Sequence, residues 1–482
     1  MASRSEIYRT LNDILAINIK GQVGTRRLLD RIIEFMDFSG YRIIEQVASF
    51  SDMDHTNLIG INGPPGPGGL LLCTSIESAG CRDASRWTST EEDPFNPTQR
   101  DGLVYAHGAA SGKVDLVCKM LALSQIEPSL VKRPVMIATM VGAQARVRGP
   151  MQLLDSGVCH PQWALVSEPT SLELVTAHRG YLALRFHMPV ASKKTTPSDG
   201  QTYRVHCQGE SAHSTTPYLG RNAVILSLLH IERYRHAGHS FTVHNLHGGQ
   251  QIDEVPEQCT FFIHVPSHSD WMPTGNYLEV EPVATPEDLC PDVGPALKRW
   301  NRLSPKLHEL FRWSTPEGAS EFYPSTPLYN VSGISNTDDG QTSITLDFRP
   351  LPGQRAEDLV QDIQVLLRQE STKSRKALVS VTVEQHLIPM EGDDNSMLAQ
   401  EAKKALQEVG VPPVLSTYSG SSEGWIFNAS GIDTVVFGPG ISMGVARRPN
   451  EYTIGQHVEK AVLFYEKLTR RLCCDDPPEA TG

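Results

Sequence analysis

Apolar residues recur along the chain in two rhythms, which divide it into an outer and an inner part. In the outer part, GLLLCTSI (69–76), PVMIATMV (134–141), WALVSE (163–168) and DTVVFGPG (433–440) are apolar runs ending in turns, as buried strands do. DLVCKMLALSQ, LAQEAKKALQEVG and HVEKAVLFYEKLTRRL carry apolar residues at helical spacing, as do Ile7, Leu11, Ile14 and Leu15. Strands too apolar to alternate, separated by helices, predict a sandwich of helices around a largely parallel sheet.

The middle follows the other rhythm. YLALRFHMPV, TYRVHCQGE, FTVHNL, QCTFFIHVP, SITLDFRPL and ALVSVTVEQHL alternate as strands with one wet face do, and NAVILSLLHIERY and AEDLVQDIQVLLRQ read as helices between them. This predicts an antiparallel sheet with helices on one face, inserted between two halves of the first domain. The expected α/β domain covers 1–178 and 392–482, and the expected α+β insertion covers 179–391. Pro/Ser/Thr/Gly-rich stretches at about 189–202 and 267–340 read as surface insertions or long loops, and the tail CCDDPPEATG as frayed.

A chain of 482 residues, 39% hydrophobic and 20% charged, is long enough for two cores and ordinary in composition for a globular protein. The net charge of -12 argues against a general nucleic-acid or anionic-membrane binder, though a small basic pocket for a carboxylate remains compatible with it. No apolar run reaches membrane-spanning length and the amino terminus has no signal-type apolar core, so the expected address is the cytoplasm. Nine scattered cysteines without a CxxC pair suit reduced, structural thiols.

Six phrases carry more specific information: GGLLLCTSIES, DPFNPTQRDGLVYAHGAASGK, SEPTSLELVTAHRGYLALRF, GESAHSTTPYLGRNAV, LDFRPLPG and FGPGISMGVARRPNEY. Together and in this order they resemble the dinuclear-zinc aminoacylase/carboxypeptidase family, which includes acetylornithine deacetylase and succinyl-diaminopimelate desuccinylase. The resemblance implies a catalytic α/β domain with an inserted lid, and homodimers formed through the lids.

The family's chemistry rests on five metal ligands and one base, and most of these positions have changed. Ser75 stands where the first His ligand belongs, and Glu77 where an Asp would orient that His. The bridging Asp falls on Ser111, the Glu-Glu pair of base and ligand on Ala143 and Gln144, and the last His on Arg447. Only Glu168 keeps its ligand character. Hydroxyl, amide and guanidinium groups do not make a zinc shell, and Arg does not deprotonate to accept a metal. The resemblance therefore implies a member with no metal and no cofactor. Its pocket would lose the four positive charges of two zinc ions. It would also lose three carboxylates (at 111, 143 and 144) and gain Arg447, leaving its formal charge unchanged. That balance reads as a guanidinium in place of the metal, opposite Glu168 and Glu77.

Other positions follow from the same resemblance. His213, in the AHS phrase, matches a lid His that reaches the partner's site, although a lone His in such a turn is ordinarily structural. Arg349 matches a lid Arg that grips a substrate carboxylate through its fork; a surface strand Arg is the plain alternative. The lid Asn falls on Asn336, eleven residues before Asp347, or its place is taken by Asp253. His107 is a candidate general base on the loop that leads to Ser111, and Ser75, Ser111, Glu77 and Gln144 are candidate pocket liners. The expected function is metal-independent acid–base catalysis on an amide- or amino-acid-derived carboxylate metabolite: cyclisation, condensation, elimination or isomerisation. Two alternatives stay open. One is a catalytically inactive binding or regulatory dimer. The other is a hydrolase of N-acyl amino acids or peptides with unrecognised ligands, such as His107, Glu77 and Glu168.

Overall fold

The computed structural model describes residues 2–50, 53–76, 81, 83–140, 147–189, 199–316, 319–338, 341–372, 379–446 and 448–475. The chain divides into two compact units, Met1–His178 with Met390–Gly482, and Arg179–Pro389. The second crossing falls two residues before the boundary read from the sequence, because Met390 and Glu391 pair with His178 and Ala177 in the sheet of the first unit.

In the first unit the sheet runs, by strand, Arg42–Phe50, Met53–Asn62, Val135–Met140, Leu70–Ser75, Trp163–Ser167, Asp433–Phe437, Leu174–His178 and Met390–Glu391, with Leu415–Tyr418 also pairing Leu174–His178. The pairs at its centre are parallel: Leu70–Ser75 with both neighbours, and Trp163–Ser167 with Asp433–Phe437. The flanks are antiparallel apart from Leu415–Tyr418, so the sheet is mixed rather than largely parallel. Alternate residues of the central strands feed two cores. Leu70 and Leu72 pack with helices Arg4–Leu15, Gly112–Leu123, Met397–Glu408 and Gly455–Thr469, while Leu71 and Cys73 pack with Leu153 and Phe427 on the other face. Burial on both faces is why these strands read as unbroken apolar runs. No helix among the described residues is long and apolar enough to cross a membrane.

The second unit is one antiparallel sheet of eight strands, in the order Leu278–Val283, Gly200–Gln208, Gln258–Pro266, Thr242–Gly248, Leu328–Asn336, Thr342–Arg349, Tyr181–Met188 and Ser380–Leu387. Leu182, Leu184, Phe186 and Met188 join the core with residues of helices Ala223–His236, Gly294–Trp313 and Ala356–Thr372. Arg185 and His187, between them in sequence, meet Glu384 and Thr382 of the neighbouring strand. The stretch 267–340, read as insertion or loop, holds two strands and the helix Gly294–Trp313, whose Leu297, Trp300, Leu307 and Phe311 are core residues. The tail departs from the expectation in the same direction. Residues Arg470–Cys474 prolong the last helix and Cys473 is buried; 476–482 lie outside the described residues.

Candidate functional site

The carboxyl ends of the central parallel strands bring the first group of candidates together. Strand Leu70–Ser75 runs beside Trp163–Ser167 with Cys73 opposite Val166, so Ser75 and Glu168 leave adjacent strands at the same level. Helix Gly112–Leu123 starts against them: a Cβ on Gly112 would come within 2.2 Å of the Ser75 carbonyl, so no side chain fits there. Ser111 is the N-cap of that helix. Its hydroxyl donates to the Gly108 carbonyl at 2.7 Å and accepts from the Lys113 amide at 3.4 Å. Gly438, at the end of the next strand, is equally constrained, since a Cβ there would approach the Glu168 carbonyl to 2.5 Å. Ser75, Ser111 and Glu168 are each half-buried.

His107 lies at the start of the same loop, with its ring 5.9 Å from Trp87 and 5.2 Å from Phe95, and is buried. The loop is held by Glu451, whose carboxylate accepts from the Gly108 amide. Lys113, fully buried, donates to the Ile17 carbonyl at 2.7 Å. Burial pushes its ammonium down to about 8, against the pull of Glu451. Glu77, Gln144 and Arg447 lie outside the described residues.

The remaining candidates belong to the second unit. His213 Nδ1 is 2.8 Å from the Thr215 hydroxyl and accepts from the Thr215 amide at 3.2 Å, which places the proton of the neutral ring on Nε2. Next to it, Ser214 accepts from Arg349 Nη2 at 2.7 Å. Arg349 is not an open fork. Its Nε lies 2.9 Å from Asp347 Oδ1, its Nη2 donates to Asp347 Oδ2 at 3.0 Å, and its guanidinium stacks 4.3 Å over the Tyr181 ring. Asp347 thus occupies the prongs that the sequence reading gave to a substrate carboxylate. Asn336 pairs with Thr342 at one end of its strand pair, whereas Arg349 pairs with Leu328 at the other. Its amide accepts from Leu246 N at 2.6 Å and donates to Thr342 at 2.9 Å, both local structural bonds. Asp253 instead lies alongside: its carbonyl accepts from the Ser214 amide at 3.0 Å and its charge is felt at Asp347.

Sequence reasoning missed the group beneath Ser75 and Glu168. Lys119 and Asp115, both buried, form an ion pair of 2.9 Å that gathers Thr74, Ser167 and Tyr465 around it. The available signal was an acid and a base four residues apart inside the apolar run DLVCKMLAL.

A pair of zinc ions does not fit the donors that the described residues present. Among the described residues no three His, Cys, Asp or Glu side chains are grouped to hold a metal ion. At the described ligand positions the chain offers two hydroxyls and one carboxylate.

Residues 82–471 match the model of peptidase family M20/M25/M40. The chain belongs to that family. Curated M20 relatives include the acetylornithine deacetylases of Erwinia tasmaniensis, 29% identical over 210 residues (40% of this chain, 49% of the relative), and of Photorhabdus laumondii, 26% identical over 273 residues (53% and 64%). The match thus spans between about half and two thirds of these relatives' length. Solved M20-type folds extend over the whole chain. Aminoacylhistidine dipeptidase from Vibrio alginolyticus superposes with a TM-score of 0.60 at 14% identity, covering 98% of this chain and 97% of its own. A metallo-carboxypeptidase from Sulfolobus solfataricus gives 0.59 at 15% identity, covering 96% and 98%. At such identities the likeness is one of fold.

Proposed function

We propose that this M20 protein cleaves the amide bond of an N-acylated amino acid or short peptide at the strand ends that carry Ser75 and Glu168. Membership in a peptidase family, with relatives named as deacetylases, supports the hydrolytic class. The observation that carries the reading is Glu168, a retained carboxylate at the end of a central parallel strand, able to take a proton from an attacking water. The amino end of helix Gly112–Leu123 abuts Ser75, and its polarised N–H groups suit a developing oxyanion. His107 is proposed as an additional proton carrier, and Arg447 as the group that holds the substrate carboxylate.

A second reading is favoured by the donor set, which does not fit zinc: acid–base chemistry on an amide- or amino-acid-derived carboxylate without net hydrolysis. Both readings make the chain metal-independent. The test is release of free amine from N-acetylornithine, other N-acetyl amino acids and dipeptides. It is run on protein as purified, after chelation, and after zinc addition. The expected result is amine release that survives chelation, is lost in Glu168→Gln, and comes from protein without stoichiometric zinc. Activity that disappears on chelation and returns with zinc would sink metal independence. Calorimetric binding of these compounds without amine release would sink hydrolysis.

We also propose a homodimer through the second unit. Light scattering at micromolar concentration should return twice the chain mass, and a monodisperse monomer removes this part of the reading.

A further inference from the structure

Lys119 is a fully enclosed charge in the first unit. Every residue from Lys113 to Leu123 is buried, and the Lys119 side chain is 0% exposed. Four oxygens surround its ammonium: the Cys73 carbonyl at 2.8 Å, Thr74 Oγ1 at 3.1 Å, Ser167 Oγ at 2.6 Å and Asp115 Oδ2 at 2.9 Å. An ammonium has three N–H groups, so the cage saturates it. The cage is closed by its own bonds. Ser167 donates to Asp115 Oδ2, Thr74 and Ser167 hydroxyls are 2.8 Å apart, and Tyr465 donates to Asp115 Oδ1 at 2.6 Å. A carbonyl, hydroxyls and a carboxylate around one positive charge is the donor chemistry that holds a hard cation.

Its position gives the cage a purpose. Thr74 and Ser167 are the residues immediately before Ser75 and Glu168, on two adjacent parallel strands. The ammonium therefore ties together the two strand ends, the helix behind them and, through Tyr465, the last helix. In a metal-dependent site, ligands on neighbouring strand ends are drawn together by the ion they share. Among the described residues the donors for such an ion are missing, and the cage places a covalently attached cation one residue behind each position.

We propose that Lys119 is a built-in cation that fixes the ends of strands Leu70–Ser75 and Trp163–Ser167 and so positions Ser75 and Glu168 without an exchangeable metal. The functional weight of this inference rests on the reading of Ser75 and Glu168 as the site; the positioning itself does not.

The test uses the full chain and needs no substrate, so a failed hydrolysis assay leaves it standing. Amide hydrogen exchange is followed at Ser75 and Glu168, with Leu71 and Leu165 in the same strands as internal references. In Lys119→Ala, melting should fall by roughly 10 °C. Exchange should accelerate at Ser75 and Glu168 more than at Leu71 and Leu165. Ethylammonium chloride should restore both melting and strand-end protection of this variant saturably, while sodium and tetramethylammonium chloride at equal ionic strength should not. Wild-type protein should respond to neither zinc nor chelator at these amides. Should Lys119→Ala not fold, Asp115→Asn combined with Lys119→Met removes both charges together, and its strand-end amides should still exchange faster than the reference positions. Unchanged strand-end exchange in a folded variant overturns the proposal. So does uniform acceleration along both strands, or a wild-type response to zinc at Ser75 and Glu168.

Discussion

Asp347→Ala should destabilise the second unit by about 3–5 kcal/mol, the cost of leaving one partner of a buried ion pair alone. Both side chains of the pair are almost wholly enclosed, at 0% exposure for Asp347 and 3% for Arg349. A guanidinium cannot shed its proton when stranded, so the penalty has no release. Arg349→Met should cost less, because the carboxyl left behind can become neutral. Burial already pushes Asp347 above the ordinary carboxylate range, with Arg349 pulling the other way. Removing Arg349 raises it further. An acid raised on folding binds more protons in the native state, so the Arg349→Met protein should gain stability as pH falls through that raised value toward the ordinary carboxylate range, below which both states are protonated. The double variant Asp347→Ala, Arg349→Met should lie closer to wild type than Asp347→Ala alone, and chemical unfolding of all four proteins measures the coupling. If Asp347→Ala unfolds at the wild-type denaturant concentration, the pair is not buried as described. Arg349 would then be available to a ligand carboxylate after all.

Lys113 should make stability rise with alkaline pH. Its ammonium is pushed down to about 8 in the folded chain, against 10.5 for an unperturbed lysine. Above the higher value the amine is neutral in both states and contributes nothing. Between the two, the unfolded chain holds the extra proton, so the folded state gains as pH rises. Below about 8 both states are charged and the full penalty, roughly 3 kcal/mol, remains. The hydrogen bond to the Ile17 carbonyl survives deprotonation, since a neutral amine still donates. Unfolding free energies of wild type and Lys113→Met, compared at about pH 7.5 and about pH 10.5, should diverge by roughly 3 kcal/mol in favour of wild type at the higher pH. The comparison cancels the buried thiols and tyrosines common to both proteins. A difference that stays flat with pH would mean that solvent reaches the amine.

Segments whose neighbours all push the same way were legible in the sequence. Leu70–Ser75 and Val135–Met140 are covered on both faces, so composition alone marks them. Helix Gly294–Trp313 was missed although its apolar residues keep helical spacing, because Pro295 and Pro305 and the surrounding loop-rich stretch suggested a break. Strand Leu328–Asn336 was missed because Ser332, Gly333, Ser335 and Asn336 are poor strand formers that pairing on both sides overrides. At the candidate site, Ser75, Ser111 and Glu168 came from the family resemblance, and the structure sets Ser75 and Glu168 at the same level on adjacent strands. The Lys119 cage was missed, since apart from Asp115 its oxygens come from Cys73, Thr74 and Ser167, 45 to 48 residues away in the chain. Arg349 shows the converse: its motif offers a guanidinium fork, while what fills the fork is a property of packing.

The discontinuity of the first unit also dictates an order of assembly. Strand Asp433–Phe437 sits between Trp163–Ser167 and Leu174–His178, so the centre of that sheet lacks a strand until nearly the whole chain has left the ribosome. At roughly 5–20 residues per second, Trp163–Ser167 waits on the order of tens of seconds for its partner. The second unit is contiguous and is complete well before then. Synthesis therefore presents a finished inner domain carried by an unfinished outer one, whose open apolar strand edge is an aggregation-prone surface until Asp433–Phe437 arrives.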